Sequence, residues 1–267
     1  MAYFLRDEKI INTTIDLDSI EKLCRMFTER LDSLNSGLAE NDTSDAKALL
    51  TYIIRFDNKG YRVFSISELK YYYEQAKQIE RIIITIESVV SLKSNRNMGT
   101  YMELRLDKND QNNCILIVTS DNKDWVDASF SATQEVLSKF KNKNGYVRTT
   151  WTPFMVQIFG VFIGFTLCLW TAFKISPLIK IENPLIIVFL FVLLIFSNIW
   201  TYLNAQLLRI LDNLFPNIRF VHEGHERIHW LFRTIVGSSI FAIILYLLNL
   251  AQKFLIDFFR RLLGFSA

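Results

Sequence analysis

Three long runs without a charged residue occupy the second half of the chain and constrain its fold more than any other feature. They cover residues 149–173, 183–208 and 234–252. About 20 residues of α-helix cross the hydrocarbon core of a bilayer, so runs of this length predict membrane spans. The predicted spans are residues 151–173, 184–208 and 231–252.

The runs divide the chain into a predicted soluble domain (1–148), a transmembrane domain (149–252) and an amphipathic C-terminal tail (253–267). The front domain carries 21 Lys and Arg against 22 Asp and Glu, a balance that disfavours a broad nucleic-acid-binding surface. No apolar signal segment follows Met1, so the first span is expected to target the protein to the membrane. Basic residues flanking the spans number eight on one side and five on the other, a modest excess that favours a cytoplasmic front domain.

Short alternating apolar segments and amphipathic segments predict an α+β front domain, with an antiparallel sheet and helices on one face. The predicted strands are residues 9–16, 48–56, 61–65, 81–90, 101–106 and 113–120, and the predicted helices are residues 20–34, 67–76 and 125–141. The membrane domain is expected to be all α-helical.

The front domain contains no histidine and no glycine-rich phosphate loop, so we do not expect an enzyme, and no cofactor is predicted. Lys93 and Arg96, in a polar segment between two predicted strands, are candidates for gripping a phosphate, although a solvated loop is the favoured interpretation. Tyr72, in the middle of three consecutive tyrosines, is a candidate for stacking on a base. A mixture of core and surface tyrosines is favoured there.

The first predicted span contains Gly160 and Gly164 in a GxxxG motif, which predicts close packing of two helix backbones, within one subunit or between subunits. In the second span, Asn198, Thr201 and Ala205 fall on one helical face. This face is a candidate pore lining in an oligomer, and hydrogen bonding between helices is the alternative. The three uncharged runs contain no Asp, Glu, Lys, Arg or His, which argues against an ion-coupled transporter.

All three histidines, His222, His225 and His229, lie between the second and third predicted spans. Their spacing puts them on one helical face and makes them weak candidates for a metal site or a pH switch. Gly224 disfavours a helix there and Arg227 adds a competing charge, so we expect a solvated or headgroup-facing linker and no bound metal.

Residues 211–248 are similar to a segment that recurs in bacterial proteins, where a Phe-Pro…Phe…Gly stretch links two spans after a cytosolic α+β domain. The whole layout resembles membrane effectors of bacterial antiphage systems, such as the channel effector of Hailong-type defence. That resemblance implies a cytosolic sensor that gates a homo-oligomeric pore. It assigns no ligand-binding residue.

The leading hypothesis is therefore a non-enzymatic effector in the bacterial inner membrane, with the lipid bilayer and further copies of itself as partners. Its front domain is expected to bind a cytosolic nucleotide, oligonucleotide or protein. Binding is expected to open the pore, and the open pore depolarises the cell. The alternative is a non-conducting membrane anchor whose front domain docks a partner enzyme.

Overall fold

A computed structural model describes residues 3–36 and 47–221, together with five single positions further along the chain. These positions are Ser238, Ala242, Tyr246, Asn249 and Lys253. The chain divides into two compact units. We call Met1–Tyr146 with Pro216–Glu226 the sheet unit, and Val147–Phe215 with Arg227–Ala267 the helical unit.

The described part of the sheet unit contains eight strands and four α-helices. The strands are β1 (Phe4–Lys9), β2 (Thr13–Ile15), β3 (Ala48–Phe56), β4 (Lys59–Val63), β5 (Ile79–Ser88), β6 (Tyr101–Asp107), β7 (Ile115–Ser120) and β8 (Ile218–Phe220). The helices are α1 (Leu17–Ser36), α2 (Ile66–Gln75), α3 (Val89–Lys93) and α4 (Lys123–Ser138). Six strands form one sheet in the order β1-β7-β6-β5-β3-β4, and every neighbouring pair is antiparallel.

One face of this sheet forms the core. Alternate residues of the central strand β5, Ile82, Ile84 and Ile86, are fully buried, as the period-2 pattern of a half-buried strand requires. They join one apolar cluster with side chains of α1 and α4, including Phe27 and Phe130. The predicted antiparallel sheet covered by helices is confirmed.

The structure differs from the sequence prediction at the start of the sheet unit. A single strand over residues 9–16 is wrong, because the chain forms β1 and β2 in separate sheets. Asn12 lies between them with a φ of 55°. That left-handed conformation cannot continue a strand, and asparagine tolerates it better than most residues.

The strand predicted to end at Val90 also stops earlier, at Ser88. The Ser88 hydroxyl accepts a hydrogen bond from the backbone N–H of Ser91 and caps α3. A serine at this position favours a helix N-terminus over continued pairing.

A short segment after the second long helix belongs to the sheet unit, which the predicted domain of residues 1–148 did not include. There β8 pairs in parallel with β2, and Ile218 is fully buried in the core. Three residues are too few for a periodic pattern to be recognised in a sequence, and only the pairing with β2 defines them as a strand.

The helical unit contains α5 (Trp151–Ile175) and α6 (Pro184–Leu214) in its described part. Both helices are long and apolar enough to cross a membrane. In the most apolar 18-residue window of α6 only 6% of the residues are buried. A core helix of a soluble protein would be mostly buried. The third predicted span and the C-terminal tail lie outside the described residues, single positions excepted, so the count of three spans stays a prediction.

Candidate functional site

The two long helices pack along a stripe of small residues on α5. Gly160, Gly164, Cys168 and Ala172 recur every four residues, which places them on one helical face, and all four are buried. Small side chains allow two helix backbones to approach closely, so this stripe sets the separation of α5 and α6.

Both glycines of the GxxxG motif meet aromatic rings of α6 in the same chain. A Cβ atom added at Gly160 would lie 1.5 Å from Cζ2 of Trp200, and one added at Gly164 would lie 1.9 Å from Cε1 of Phe196. No side chain larger than hydrogen fits at either position unless a ring moves. The motif is therefore occupied within one subunit in this structure.

A polar contact lies along the same interface between α5 and α6, which we call the seam. The Asn204 amide donates to Oε1 of Gln157 over 3.4 Å. Two further atoms beside it, Trp200 Nε1 and Asn204 Oδ1, are buried without a hydrogen-bond partner among the described residues. A water molecule is the natural partner for such a donor and acceptor.

The predicted polar face of α6 points away from this seam. Asn198, Thr201 and Ala205 are all exposed. The Asn198 amide donates to the backbone oxygen of Leu194 at 3.2 Å, and the Thr201 hydroxyl donates to that of Ser197 at 3.0 Å. Both polar side chains are thus exposed on a long apolar helix. In hydrocarbon such a group is costly, so this face requires water or protein against it.

An ion pair joins the start of α5 to the end of α6, the two ends of the hairpin that these helices form. Arg148, just before α5, lies 2.9 Å from the carboxylate of Asp212 and donates to the backbone oxygen of Phe215 at 2.9 Å. Its side chain is 17% exposed. A guanidinium that satisfies both a carboxylate and a helix-terminal carbonyl fixes the two helix ends relative to each other.

In the sheet unit, the strand β2 holds the chain that leads to α5. Thr14 N–H donates to the backbone oxygen of Phe140 at 2.9 Å, and Asn142 N–H donates to that of Asn12 at 2.7 Å. The Asn142 amide also donates to the Thr14 hydroxyl at 3.1 Å. Residues 140–144 are thereby bound to one edge of β2.

The opposite edge of β2 holds the chain that returns from α6. Thr13 N–H donates to the backbone oxygen of Asn217 at 3.0 Å, and Val221 N–H donates to that of Ile15 at 2.8 Å. Residues 140–144, β2 and residues 216–221 together form what we call the clamp. Within it the Asn144 amide also donates to the Pro216 carbonyl, joining the outgoing and returning segments directly.

Two buried side chains complete the clamp. Asn217, 3% exposed, accepts from Asn12 N–H at 2.9 Å and donates to the Ile10 carbonyl at 3.0 Å. The Tyr73 hydroxyl of α2 lies 2.9 Å from the carbonyl oxygen of Ile15 and 3.0 Å from that of Val221. Burial, reinforced by the nearby Asp16 carboxylate, raises the pKa of Tyr73 well above its ordinary range. The phenol therefore stays protonated and able to donate.

The predicted phosphate-gripping residues have different surroundings. Lys93 ends α3 and is exposed. The Arg96 guanidinium lies 3.2 Å from Glu87, 3.6 Å from the buried Glu103 and 4.3 Å above the Tyr101 ring. Its positive charge is thus already compensated by two carboxylates, which leaves little attraction for a phosphate in this conformation.

Arg96 also has a φ of 67°, next to Asn95 at 53°. Two consecutive residues in the left-handed region cost free energy, and the Arg96 N–H donates to the backbone oxygen of Ser91 at 2.8 Å in this turn.

The three consecutive tyrosines separate as expected for residues on a helix. Tyr71 is exposed, and Tyr73 is in the core. The Tyr72 ring stacks on Tyr61 with centroids 4.5 Å apart, and Tyr61 in turn stacks on Phe56. Because one face of the Tyr72 ring is taken by Tyr61, at most its other face remains for a base.

His222, His225 and His229 lie outside the described residues. Within the described ranges no three His, Cys, Asp or Glu side chains gather in a way that could hold a metal ion. Comparison with protein-family models, curated proteins and solved structures yields no significant match to the chain.

Sequence reasoning found the polar face of α6 and the glycine motif but missed the clamp. Its signals were present but short: the buried Asn217 follows Pro216, and Ile218 and Phe220 alternate with Arg219. Pro216 marks the end of α6, because proline cannot continue a helix.

Proposed function

We propose that this protein is a non-enzymatic membrane effector whose sheet unit binds a cytosolic signal and gates a homo-oligomeric pore. The resemblance to Hailong-type effectors makes bacterial antiphage defence its setting and the inner membrane its location. In this proposal the signal is a nucleotide, an oligonucleotide or a protein. Opening depolarises the cell.

The observation that carries the proposal is the exposed polar face of α6. Asn198 and Thr201 lie in the middle of α6, and only 6% of the residues in the most apolar 18-residue window of that helix are buried. Copies of the hairpin arranged around an axis would turn these side chains towards a shared water-filled path. Uncharged groups of this kind give weak selectivity among small ions.

The connection between the units supports the proposed topology. The chain leaves the sheet unit after Tyr146 and re-enters it at Pro216. If α5 and α6 each cross the bilayer, both ends of the hairpin lie on the side that holds the sheet unit. The basic flanks Lys139, Lys141 and Arg148 favour the cytoplasm for that side.

A non-conducting anchor is the alternative, and one observation favours it. Gly160 and Gly164 are occupied by rings of the same chain, so the GxxxG motif is not free to join subunits. In an anchor, Asn198 and Thr201 would bond to another helix instead of facing water, and the sheet unit would dock a partner enzyme.

A phage-challenge experiment separates the two functions. Bacteria that express the chain are infected with a panel of phages while a dye reports membrane potential. In a second measurement, the molecular mass of the purified protein is determined in detergent. We expect an oligomer and depolarisation on infection. Asn198→Leu with Thr201→Leu should abolish depolarisation, because an apolar constriction dewets, while insertion and mass persist.

The matched control is Ile195→Leu with Ile199→Leu, which changes exposed apolar residues of the same helix and should leave depolarisation unchanged. A monomer that never depolarises infected cells would favour the anchor. Unchanged depolarisation in the Asn198 and Thr201 double variant would remove this face from the pore.

A further inference from the structure

The six-stranded sheet has a second face, opposite the one on which α1, α2 and α4 join the core. On this second face Ile53, Ile83 and Ile115 are partly exposed and do not belong to the core cluster. The turn after α3 reaches one corner of the face, where Arg96 lies 4.3 Å above the Tyr101 ring. Partly exposed apolar side chains gathered on one face mark an interaction surface.

Charged side chains on this face are sorted by sign into two rows that cross the strands. The strand register places five residues side by side in what we call the basic row: Lys9, Ile115, Arg105, Ile83 and Ile53. Two residues away along each strand lies what we call the acidic row: Asp7, Ile117, Glu103, Thr85 and Thr51. The midline between these rows therefore separates positive from negative charge.

The central strand β5 continues this separation outward. Arg81 lies beyond the basic row and Glu87 beyond the acidic row, at equal distances from the midline. Two charges depart from the pattern, and each is paired within the chain: Asp107 with Arg81 at 2.6 Å, and Arg96 with Glu87 at 3.2 Å. The two halves of the face are thus complementary to each other.

A twofold axis along the midline would bring a second copy into register with the first. Such an interface uses the same surface on both copies, and here it lays the basic row of one on the acidic row of the other. Arg105 then faces Glu103 of the second copy, and Lys9 faces Asp7. An axis along the strands would instead oppose β4 to β1 and bring Arg62 against Lys9, which repel each other.

Apolar side chains occupy the remaining positions of the two rows. With the axis along the midline, Ile115 faces Ile117 of the second copy and Ile83 faces Thr85. Glu103 already pairs with Arg105 of its own chain at 2.6 Å, so the charges set the orientation more than the strength of such a contact. Removing the isoleucines from water supplies the favourable free energy.

We propose that the second face of the six-stranded sheet joins two copies of this chain, packed face to face about a twofold axis that crosses the strands between the basic and acidic rows. This pairing specifies a protein surface for self-association. It holds whether the assembled protein conducts ions or only anchors a partner, so it does not rest on the pore.

The size of the face decides where the pairing has to be tested. Six strands about 4.8 Å apart, and a rise of about 3.4 Å per residue from Arg81 to Glu87, give a face of roughly 24 Å by 20 Å. A standard interface buries about 800 Å² on each partner, so this one is small. Copies held in one membrane have a high effective concentration, and the full chain in bacterial membranes is therefore the suitable sample.

The test replaces the contact between Ile115 and Ile117 by an ion pair. Ile115→Asp places a carboxylate beside Arg105 of the same chain, and Ile117→Lys places an ammonium group beside Glu103. Each new charge thus has an opposite charge beside it in its own sheet, and each variant should fold. Circular dichroism of the purified chains checks this.

Thr51→Cys in the acidic row reports the contact through a bis-maleimide cross-linker. Stacked sheets lie about 10 Å apart, so the two cysteines come within reach of a linker of that order of length. The chain with this change alone should give a cross-linked dimer. Adding Ile115→Asp or Ile117→Lys should lower its yield about tenfold or more, because the new charge faces an isoleucine of the second copy.

Mixing the two variants supplies the rescue. When both are co-expressed with different tags, the carboxylate of one chain faces the ammonium group of the other, and a dimer carrying both tags should return. Glu29→Cys is the matched control, because Glu29 is exposed on α1 on the covered side of the sheet. Its cross-linking should not respond to the changes at Ile115 and Ile117.

Three results would overturn the proposal. Thr51→Cys alone would give no dimer, the single charge variants would cross-link as well as the chain without them, or the mixture would stay monomeric. Depolarisation is not measured in any of these experiments. Failure of the pore proposal would therefore appear separately, as infected cells that keep their membrane potential while the mixed dimer still forms.

Discussion

Gly160→Ala is expected to separate α5 from α6, because the new methyl group would occupy the place of the Trp200 indole. The added Cβ would lie 1.5 Å from Cζ2, 2.1 Å from Cη2 and 2.2 Å from Cε2 of that ring. Carbon atoms in contact lie about 3.5–4 Å apart, so the ring has to move by about 2 Å. It is packed between the helices and cannot make that movement without parting them.

Overpacking of this kind costs about 1–3 kcal/mol. At 1.4 kcal/mol for each factor of ten, the population with separated helices should rise about 5- to 150-fold. Cys168 reports on that population, because it is 1% exposed on the same stripe of α5, two turns further along.

The assay is the rate of maleimide labelling in detergent. Peptide mass spectrometry distinguishes Cys168 from Cys24 and Cys114, the other buried thiols. Gly160→Ala should accelerate labelling of Cys168 by about 5- to 150-fold. Val161→Ile adds a methylene group on an exposed side of α5 and should leave the rate unchanged.

A double-mutant cycle identifies the contact. In a Trp200→Ala background the methyl group at residue 160 finds space, so Gly160→Ala should cause no further acceleration. A wild-type labelling rate in the single variant would refute the packing of Gly160 on Trp200. That packing would also be refuted if Gly160→Ala still increased the Cys168 labelling rate by the full factor in the Trp200→Ala background. Gly160 would then face another subunit.

Three further outcomes follow from the sheet unit, each measured by urea unfolding. Asn217→Ala should lower the free energy of unfolding by about 2–5 kcal/mol, since two buried backbone groups lose their partners, whereas the exposed Asn112→Ala should change it by under about 0.5 kcal/mol. Burial raises the pKa of Tyr73 above its ordinary 10, so the folded state holds a proton that the unfolded state has released. The contribution of Tyr73 to stability should thus be constant below about pH 10 and fall above it by at most about 1.4 kcal/mol per pH unit, so stability should fall less steeply in Tyr73→Phe than in wild type. Arg96→Ala should lower the free energy of unfolding by less than about 1 kcal/mol, because its guanidinium is half exposed. Glu103→Ala should lower it by about 1–3 kcal/mol, because that carboxylate is buried and pairs with Arg96 and Arg105. Equal costs for the last two variants would contradict this account.

The elements that could be predicted from the sequence are those in which buried residues alternate along the chain or follow one another without interruption. β7 alternates strictly between more and less buried residues and β3 largely does, whereas β5 and β6 bury most of their residues, so apolar residues reveal each of these strands. The two long helices followed from their length and lack of charge. β1 was missed because it is an edge strand with almost every residue exposed, which removes the alternation.

Contacts that join distant residues could not be predicted in the same way. Arg96 reaches Glu103 because the register of β5 and β6 brings Glu87 beside Tyr101, and a sequence does not specify that register. The pairing of Gly160 with Trp200 depends likewise on the turn that joins α5 and α6. The glycine motif predicted a close approach but could not identify the helix that approaches.

The position of β8 also imposes an order on how the protein is made. Ile218 and Asn217 are needed to fill and satisfy the core beside β2, yet the ribosome adds them only after the whole of α5 and α6. Until then the Asn12 N–H and the Ile10 carbonyl lack the bonds that Asn217 makes to them, and the nascent sheet unit is incomplete. We therefore expect the sheet unit to complete its fold only when the helix hairpin has been inserted and its end has returned. A chain whose hairpin failed to insert would keep an unfinished, protease-sensitive domain.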